Sequence, residues 1–398
     1  MLNIMSKEKV LILGGGFGGI KAALTLLETD NYHVTLVSDD EEMKYYPTLY
    51  HTATGGKRAN SSIKLADIFA GKEIEFIVGT AKTIDRKLKT VKLTNHHEIS
   101  FDYLIIGLGV VTNYFGIPGL ADYAYSIKSQ KDVYKFKRHL HKQITDENGP
   151  DLHYVIVGAG PTGIELAGAL PPYIKRILHL HGMQDKGYHI DLIEAQKHVL
   201  PMFDKKIAKK AARRLRQLKV RLYLGKAVQG QSVDGLTMSG KPIRSHTVVW
   251  TAGVTNHPFF KENDFVVMNR GKIAVDVYLQ TEQNIFIIGD NANTPYSGMA
   301  QTALHDGEFV AKNLIRKASG KNYKSYKPKK PFSVIPIGKH WAIASYGNKY
   351  ITGKLGWLIR EGAYLIGFHD IQPWPKAIKQ YLTEFQYQDD CSICSRNK

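Results

Sequence analysis

Cysteine is almost missing from this chain. Two occur in 398 residues, Cys391 and Cys394, both close to the C-terminus. No disulfide framework can be built from them, which points to a reducing compartment. Thiol-based redox chemistry in the body of the chain is excluded. The CSIC tail is half a metal site at most, and no second pair or histidine cluster completes it, so no metal is expected. Long apolar runs are also missing, so nothing reads as a bilayer span. No leader precedes the first strand at about Lys9. HExxH, GxSxG, Walker A and zinc-finger spacings are absent. Acid is short relative to base. Asp and Glu number 36 against 54 Lys and Arg, a net charge of +18, which favours an anionic partner such as lipid or a phosphate-bearing cofactor.

What is present is glycine in two patterned turns. Residues 10–13 are an apolar strand feeding GGGFGG, with Gly14, Gly16 and Gly19 at the fingerprint positions. A helical pattern and a strand at 33–37 close a βαβ unit. Residues 154–157 repeat the device, feeding Gly158, Gly160 and Gly163. In each turn one glycine bends the chain, one admits a pyrophosphate and one seats the helix on the strand. The helix N-terminus offers free N–H groups to the phosphates. Two such units imply two dinucleotides and electron transfer between them.

An acid at the end of the second strand of each unit holds a ribose. In the second unit this is Glu194, whose carboxylate suits the two hydroxyls of NADH and repels the extra phosphate of NADPH. In the first unit Ser38 occupies the expected place and Asp39 is the nearest acid. A later strand at 281–290 ends in Gly289-Asp290, where Asp290 can accept a hydrogen bond from a ribityl hydroxyl. A helix from about 299 to 315 follows, its positive end suited to an anionic flavin ring.

The remaining stretches are less specific. YYPTLYH (45–51) can wrap a flat ring or simply pack as a loop. Residues 204–220 form a strongly basic helix, read first as a solvated face with a membrane or nucleic-acid face as the alternative; it is nearly free of aromatics, which argues against single-strand stacking. Residues 320–330 read as a Lys-rich linker. Residues 355–368 are very apolar but carry Arg360 and Glu361. Residues 374–387 form an amphipathic helix suited either to a packed seam or to a membrane interface. The basic excess favours an anionic membrane.

GGGFGG, YYPTLYHTATGG, GAGPTGIELAG, EAQKHVLPMF, VVWTAGV, FIIGD and MAQTALHDG stand in the order found in type II NADH:quinone oxidoreductases, and the chain resembles that family over nearly its whole length. The resemblance implies an α/β fold with two Rossmann-like dinucleotide-binding domains and a C-terminal amphipathic membrane-associating segment. It implies FAD on Gly14, Gly16, Gly19 and Asp290, with Asp39 at its ribose, and NADH on Gly158, Gly160, Gly163 and Glu194. Glu165 matches the family's acid near nicotinamide and flavin. The quinone-site pattern AQxAxQ reads Ala300-Gln301-Thr302-Ala303-Leu304-His305, with Ala300 against the cofactor and Gln301 and His305 toward the quinone. His305 stands where the family has Gln. It can still donate a hydrogen bond to a quinone carbonyl, and histidine titrates near neutral pH.

The expected domains are 1–118 with 254–322 for FAD, 119–253 for NADH, and 323–398 for membrane association and dimerisation. The expected activity is NADH oxidation with two-electron reduction of a membrane quinone, without proton pumping. The chain is then a peripheral protein on the cytoplasmic face of the cell membrane, a homodimer in contact with anionic lipid. Two alternatives stay open at this level. One is a soluble NADH-dependent reductase of a protein such as a ferredoxin. The other is a redox sensor that binds NADH and flavin without turnover.

Overall fold

The first sheet is built on a strand buried on both faces. In the computed structural model, which describes residues 7–145, 151–239, 241–268 and 271–389, β1 runs Glu8–Leu13. Val10, Leu11, Ile12 and Leu13 are each at most 1% exposed, which is why they read as an unbroken apolar run. α1 (Phe17–Leu26), β2 (Tyr32–Ser38), β3 (Glu75–Val78) and β4 (Tyr103–Ile106) follow. β1 pairs in parallel with β2 and with β4. The strand order is Gln280–Glu282, Ile285–Ile287, β4, β1, β2, β3. The order therefore reverses at β1. A crevice opens there, beyond the strand ends, where α/β sheets bind their ligands. The late strand expected over 281–290 is two short antiparallel strands whose pairing carries a register shift.

The second sheet repeats the plan. α2 (Gln130–Ile144) leads into β5 (His153–Val157), α3 (Pro161–Leu180), β6 (His189–Glu194), α4 (Lys205–Gln217), β7 (Val220–Leu224) and β8 (Thr247–Trp250). The order is β7, β6, β5, β8, all parallel, and it reverses at β5. α3 runs well past the 162–169 expected from its sequence. Pro161 suits the first turn, where its missing N–H is not needed. Pro171 and Pro172 do not end it, because a buried face of Leu166, Leu170, Tyr173, Ile174 and Ile177 carries the helix through. The basic helix α4 buries Ile207, Ala208, Ala211, Ala212 and Leu215. Most of its lysines and arginines are thus the solvated face of an amphipathic helix.

Two crossings link the sheets. Val110–Thr112 and Val254–Asn256 pair antiparallel, so the outgoing and returning chains run side by side. α5 (Ala300–Ala318) then packs along α1. After the linker, a three-stranded antiparallel sheet that the sequence pattern did not reveal (Ser333–Pro336, Ala342–Tyr346, Lys349–Gly353) precedes the C-terminal helices.

These helices are α6 (Lys354–His369) and α7 (Trp374–Leu382), the latter ending in a short 3-10 turn, Thr383–Phe385. The chain then lies across residues 55–57. Gln388 N donates to Gly55 O at 2.8 Å, and Lys57 N donates to Gln386 O at 3.0 Å. Asp389 is buried against α2 and α3. It accepts from Tyr173 Oη at 2.8 Å and pairs with Lys137 at 3.8 Å and Arg176 at 3.7 Å. Cys391 and Cys394 lie outside the described residues. Among the described residues no helix is long and apolar enough to cross a membrane, and no group of acidic, His or Cys side chains could hold a metal ion.

Candidate active site

The two glycine turns sit at the two reversal points. Gly14 has φ +113°, and a Cβ there would fall 2.2 Å from Gly107 O, so only glycine lets β1 and β4 end together. Gly163 is tight for a different reason. Its Cβ would stand 1.9 Å from Gly158 O, where the start of α3 presses on the turn. Gly16 and Gly160 are the opposite case: a Cβ at either would meet nothing within 4 Å. Each borders open space at a helix N-terminus, and that space fits the pyrophosphate of a dinucleotide. The residues present therefore suit FAD and NADH.

The acids around the turns differ in exposure. Glu194 is buried and its carboxylate is already engaged: Oε2 accepts from Ala159 N at 2.7 Å and Oε1 from Gln196 N at 2.8 Å. It thus braces the glycine turn while its remaining lone pairs stay available to a ribose. Replacement by Arg should move nucleotide preference from NADH toward NADPH by at least tenfold in kcat/KM; an unchanged ratio would remove Glu194 from the ribose site. In the first unit, Ser38 is the buried residue, and Asp39 is exposed and pairs loosely with Lys44 at 3.4 Å. Asp290 lies half-buried in the 3-10 turn Gly289–Asn291, and its carbonyl accepts from Lys272 Nζ. Asp306, fully buried on α5, holds that turn by accepting from Gly289 N at 3.0 Å and from Tyr326 Oη at 2.6 Å. Burial pushes its carboxyl up to about 6. Its role was missed from sequence, where it is one polar residue in a polar helix start.

Glu165 lies in the second turn of α3. Burial pushes its carboxyl up to about 8, against the opposing pull of the Arg360 cation. Such a group stays protonated at neutral pH and can give or take a proton there. Tyr50 and Tyr364 both sense its charge, so the YYPTLYH loop, α3 and α6 converge here. Arg360 is 4% exposed. It donates to Tyr50 Oη at 3.1 Å and to Glu361 Oε1 at 2.6 Å, pairs with Glu384, and lies 3.8 Å over the Tyr364 ring. Tyr45 stacks on Phe368 at 4.3 Å, and Tyr364 Oη donates to Pro47 O at 2.8 Å. The aromatic loop is therefore packed against α6. The signal for Arg360 was its charge inside an apolar stretch.

Ala300 opens α5 and is half-buried. Gln301 is exposed but tethered: its Nε2 donates to Phe332 O at 3.2 Å, and its Oε1 accepts from Phe332 N at 2.9 Å. His305 Nε2 donates to Lys327 O at 2.9 Å. The two side chains of the AQxAxQ pattern thus hold the 327–332 backbone against α5. His305 also borders a cavity of about 410 Å³ whose lining includes Glu308, Phe309, Lys312, Arg316 and Lys329. No hydrogen bond among the described residues joins Gln301 or His305 to Glu165.

Two sheets that each reverse at a glycine turn, with a titratable acid between them, define a pyridine-nucleotide flavoprotein. The chain belongs to the pyridine nucleotide-disulphide oxidoreductase family, which residues 8–307 match. It is similar to the type II NADH:quinone oxidoreductase of Staphylococcus aureus (strain MSSA476). The two are 27% identical over 372 residues, which span 87% of this chain and 92% of that protein. Its fold is similar to that of NDH2 from Plasmodium falciparum solved in complex with NADH. There the TM-score is 0.85 at 19% identity, covering 95% of this chain and 97% of that one. The sulfide:quinone oxidoreductase of Aquifex aeolicus is a further structural neighbour. Its TM-score is 0.77 at 19% identity, covering 97% of this chain and 98% of that one.

Proposed function

We propose that this chain is an FAD-dependent NADH:quinone oxidoreductase of the non-proton-pumping type. The observation that carries this reading is the pair of open phosphate cradles at Gly16 and Gly160, in a chain whose length aligns with a type II NADH:quinone oxidoreductase. FAD, when bound, supplies the two-electron relay between NADH and quinone. The protein's part is to bind, orient and move protons. Gly14, Gly16, Gly19, Asp39, Asp290 and Ala300 hold FAD. Gly158, Gly160, Gly163 and Glu194 hold NADH. Glu165 positions the nicotinamide and delivers a proton at neutral pH. Gln301 and His305 orient the quinone head once their contacts to the 327–332 backbone exchange for it. Sulfide chemistry is disfavoured because the chain has no cysteine before Cys391.

The division into 1–118 with 254–322, 119–253 and 323–398 is part of the same proposal, supported by the two sheets and by the paired crossings. So is attachment to the cytoplasmic face of the membrane as a homodimer. Leu355, Leu358, Ile366, Trp374, Ile378, Leu382 and Phe385 are exposed on and just after α6 and α7, and an apolar surface of this kind suits an anionic bilayer or a second copy.

Steady-state NADH oxidation by the FAD-loaded protein against a panel of quinones, with and without anionic liposomes, tests this reading. Turnover above background with at least one quinone is expected. Gln301→Ala should cut quinone-dependent turnover about tenfold while leaving anaerobic bleaching of the FAD absorbance by NADH within twofold. Background turnover with every quinone would sink the reading in favour of a sensor.

A further inference from the structure

We infer that the cavity between α5 and the returning segment 322–329 is a binding site for the phosphate headgroup of an anionic phospholipid. This deepens the reading of the chain as a peripheral membrane protein and rests on it.

α5 presents one stripe to the cavity. His305, Glu308, Phe309, Lys312 and Arg316 recur at helical spacing, and all of them line it. The opposite wall is the segment that runs back along the helix. It is held to α5 at Asn322, Lys324, Tyr326 and Lys327. Arg316 Nε donates to Asn322 O at 2.9 Å. Asn313 exchanges two hydrogen bonds with the Lys324 backbone, each of 2.9 Å. Tyr326 Oη donates to Asp306 Oδ1 at 2.6 Å, and His305 Nε2 donates to Lys327 O at 2.9 Å. A segment without regular structure thus forms a fixed wall.

The charge of the lining is one-sided. Lys312, Arg316, Lys324 and Lys329 face a single acid, Glu308. That acid is already engaged, with its Oε1 2.5 Å from Lys312 Nζ. Among the described residues no carboxylate stands within ion-pair distance of Arg316, Lys324 or Lys329, and the Asn313 amide is taken up by the backbone. Like charges around one space repel, and an anion between them removes that repulsion. A guanidinium meets phosphate oxygens in pairs, and lysines meet them as point charges. The volume, about 410 Å³, suits a headgroup-sized molecule and not a folded partner.

Two features favour a lipid over free phosphate. Phe309 and Ile315 also line the cavity, with Phe309 edge-on to Tyr326 at 5.1 Å. Inorganic phosphate gains nothing from such walls, whereas the glycerol and first methylenes of a lipid do. The second feature is position. α5 packs on α1, with Gly307 against Gly18 O. Phe17 of α1 meets Tyr45 at 5.3 Å, Tyr45 stacks on Phe368 of α6, and the next residue, His369, stacks on Trp374 at 3.9 Å. Glu308 and Asp370 both sense the charge of Lys21 on α1. The cavity therefore neighbours the junction of α6 and α7, where Trp374 is exposed. A basic pocket beside an apolar surface is suited to a headgroup whose chains lie in the bilayer.

The test is isothermal titration of the FAD-loaded full chain with dihexanoyl phosphatidic acid below its micelle concentration, with inorganic phosphate as the comparison. Flotation with phosphatidylcholine vesicles, with and without phosphatidic acid, accompanies it. The short-chain lipid should bind saturably, and Lys324→Gln with Lys329→Gln should weaken it about tenfold. Neither lysine side chain donates a hydrogen bond among the described residues, so this variant keeps its fold, and each single variant should show part of the loss. Lys206→Gln with Lys209→Gln, on the solvated face of α4, removes the same charge and should leave affinity within twofold. Equal loss in both double variants, or loss in neither, overturns the site. Inorganic phosphate that binds as tightly as the lipid overturns the lipid assignment. Wild-type protein that floats with neither vesicle would instead overturn the membrane reading on which this rests. Flotation with phosphatidic acid vesicles that the Lys324, Lys329 variant matches would overturn this inference alone.

Discussion

Arg360→Met should destabilise the protein by about 3–5 kcal/mol, a large share of the total for a domain of ordinary stability. The loss comes less from the missing attraction than from what is left behind. Glu384 and Glu361 both lean on this guanidinium, and Glu384 is itself 8% exposed. Without the cation one buried carboxylate must ionise unpaired or take up a proton. Tyr50 also loses the donor to its hydroxyl. The double variant Arg360→Met with Glu384→Gln should recover a good part of the loss, since it removes the stranded charge along with its partner. Urea denaturation of the two variants beside the wild type measures this. A single-variant cost below about 1 kcal/mol would mean that the pair is solvated in solution and not the buried contact seen here. Activity carries a second readout. Arg360 pulls the Glu165 carboxyl downward, so its removal should push that group's titration, and any pH limb it governs, to higher pH.

Glu165→Gln should lower quinone-dependent turnover about a hundredfold, the range expected for losing a positioned acid–base group. In the wild type the carboxyl holds its proton up to about pH 8 and loses it above. Turnover that needs the protonated form should therefore fall as pH rises through 8. In Glu165→Gln this limb should vanish and leave a flat, low profile. The substitution that lowers turnover should raise stability at high pH. An ordinary Glu releases its proton near 4.5, whereas the folded state holds this one until about 8. Between those values the folded protein binds a proton that the unfolded chain does not, so stability falls as pH rises across that window and levels off above it. Gln carries no such term. At pH 8.5 Glu165→Gln should melt several degrees above the wild type. A variant with lower activity and no gain in melting temperature would show that Glu165 is solvated in the folded protein.

Much of the first 330 residues was legible because its signals are local. An apolar run, a glycine turn and a helical period occupy about thirty residues, and each dictates its own geometry. β1, α1, β5 and the start of α3 fall into this class, and so does Glu194 at the end of β6. What was hidden depends on residues far apart in sequence. The role of Arg360 becomes visible only when Tyr50 and Glu384 are seen around it. Asp306 looks like any polar residue near a helix start until Gly289 is placed above its carboxylate. The sheet at 333–353 was missed because its apolar and aromatic stretches lack a sharp period and its turns are short. Gln301 and His305 were legible as a pattern, but their bonds to Phe332 and Lys327 were not, because the 320–330 segment has no regular structure to predict.

The hydrogen bond between Arg360 and Tyr50 spans 310 positions of the chain. Most pairings within each unit close short loops, the strands at 280–287 that return to the first sheet excepted, whereas this contact closes a loop longer than three quarters of the molecule. The entropy of closing such a loop is lost before the contact returns anything. The order of assembly follows from that. The two cradles can take shape first, each on its own sheet, while the pocket around Glu165 stays open until α6 swings back onto the aromatic loop. The surroundings of Glu165 are complete only once the last quarter of the chain has packed onto the first.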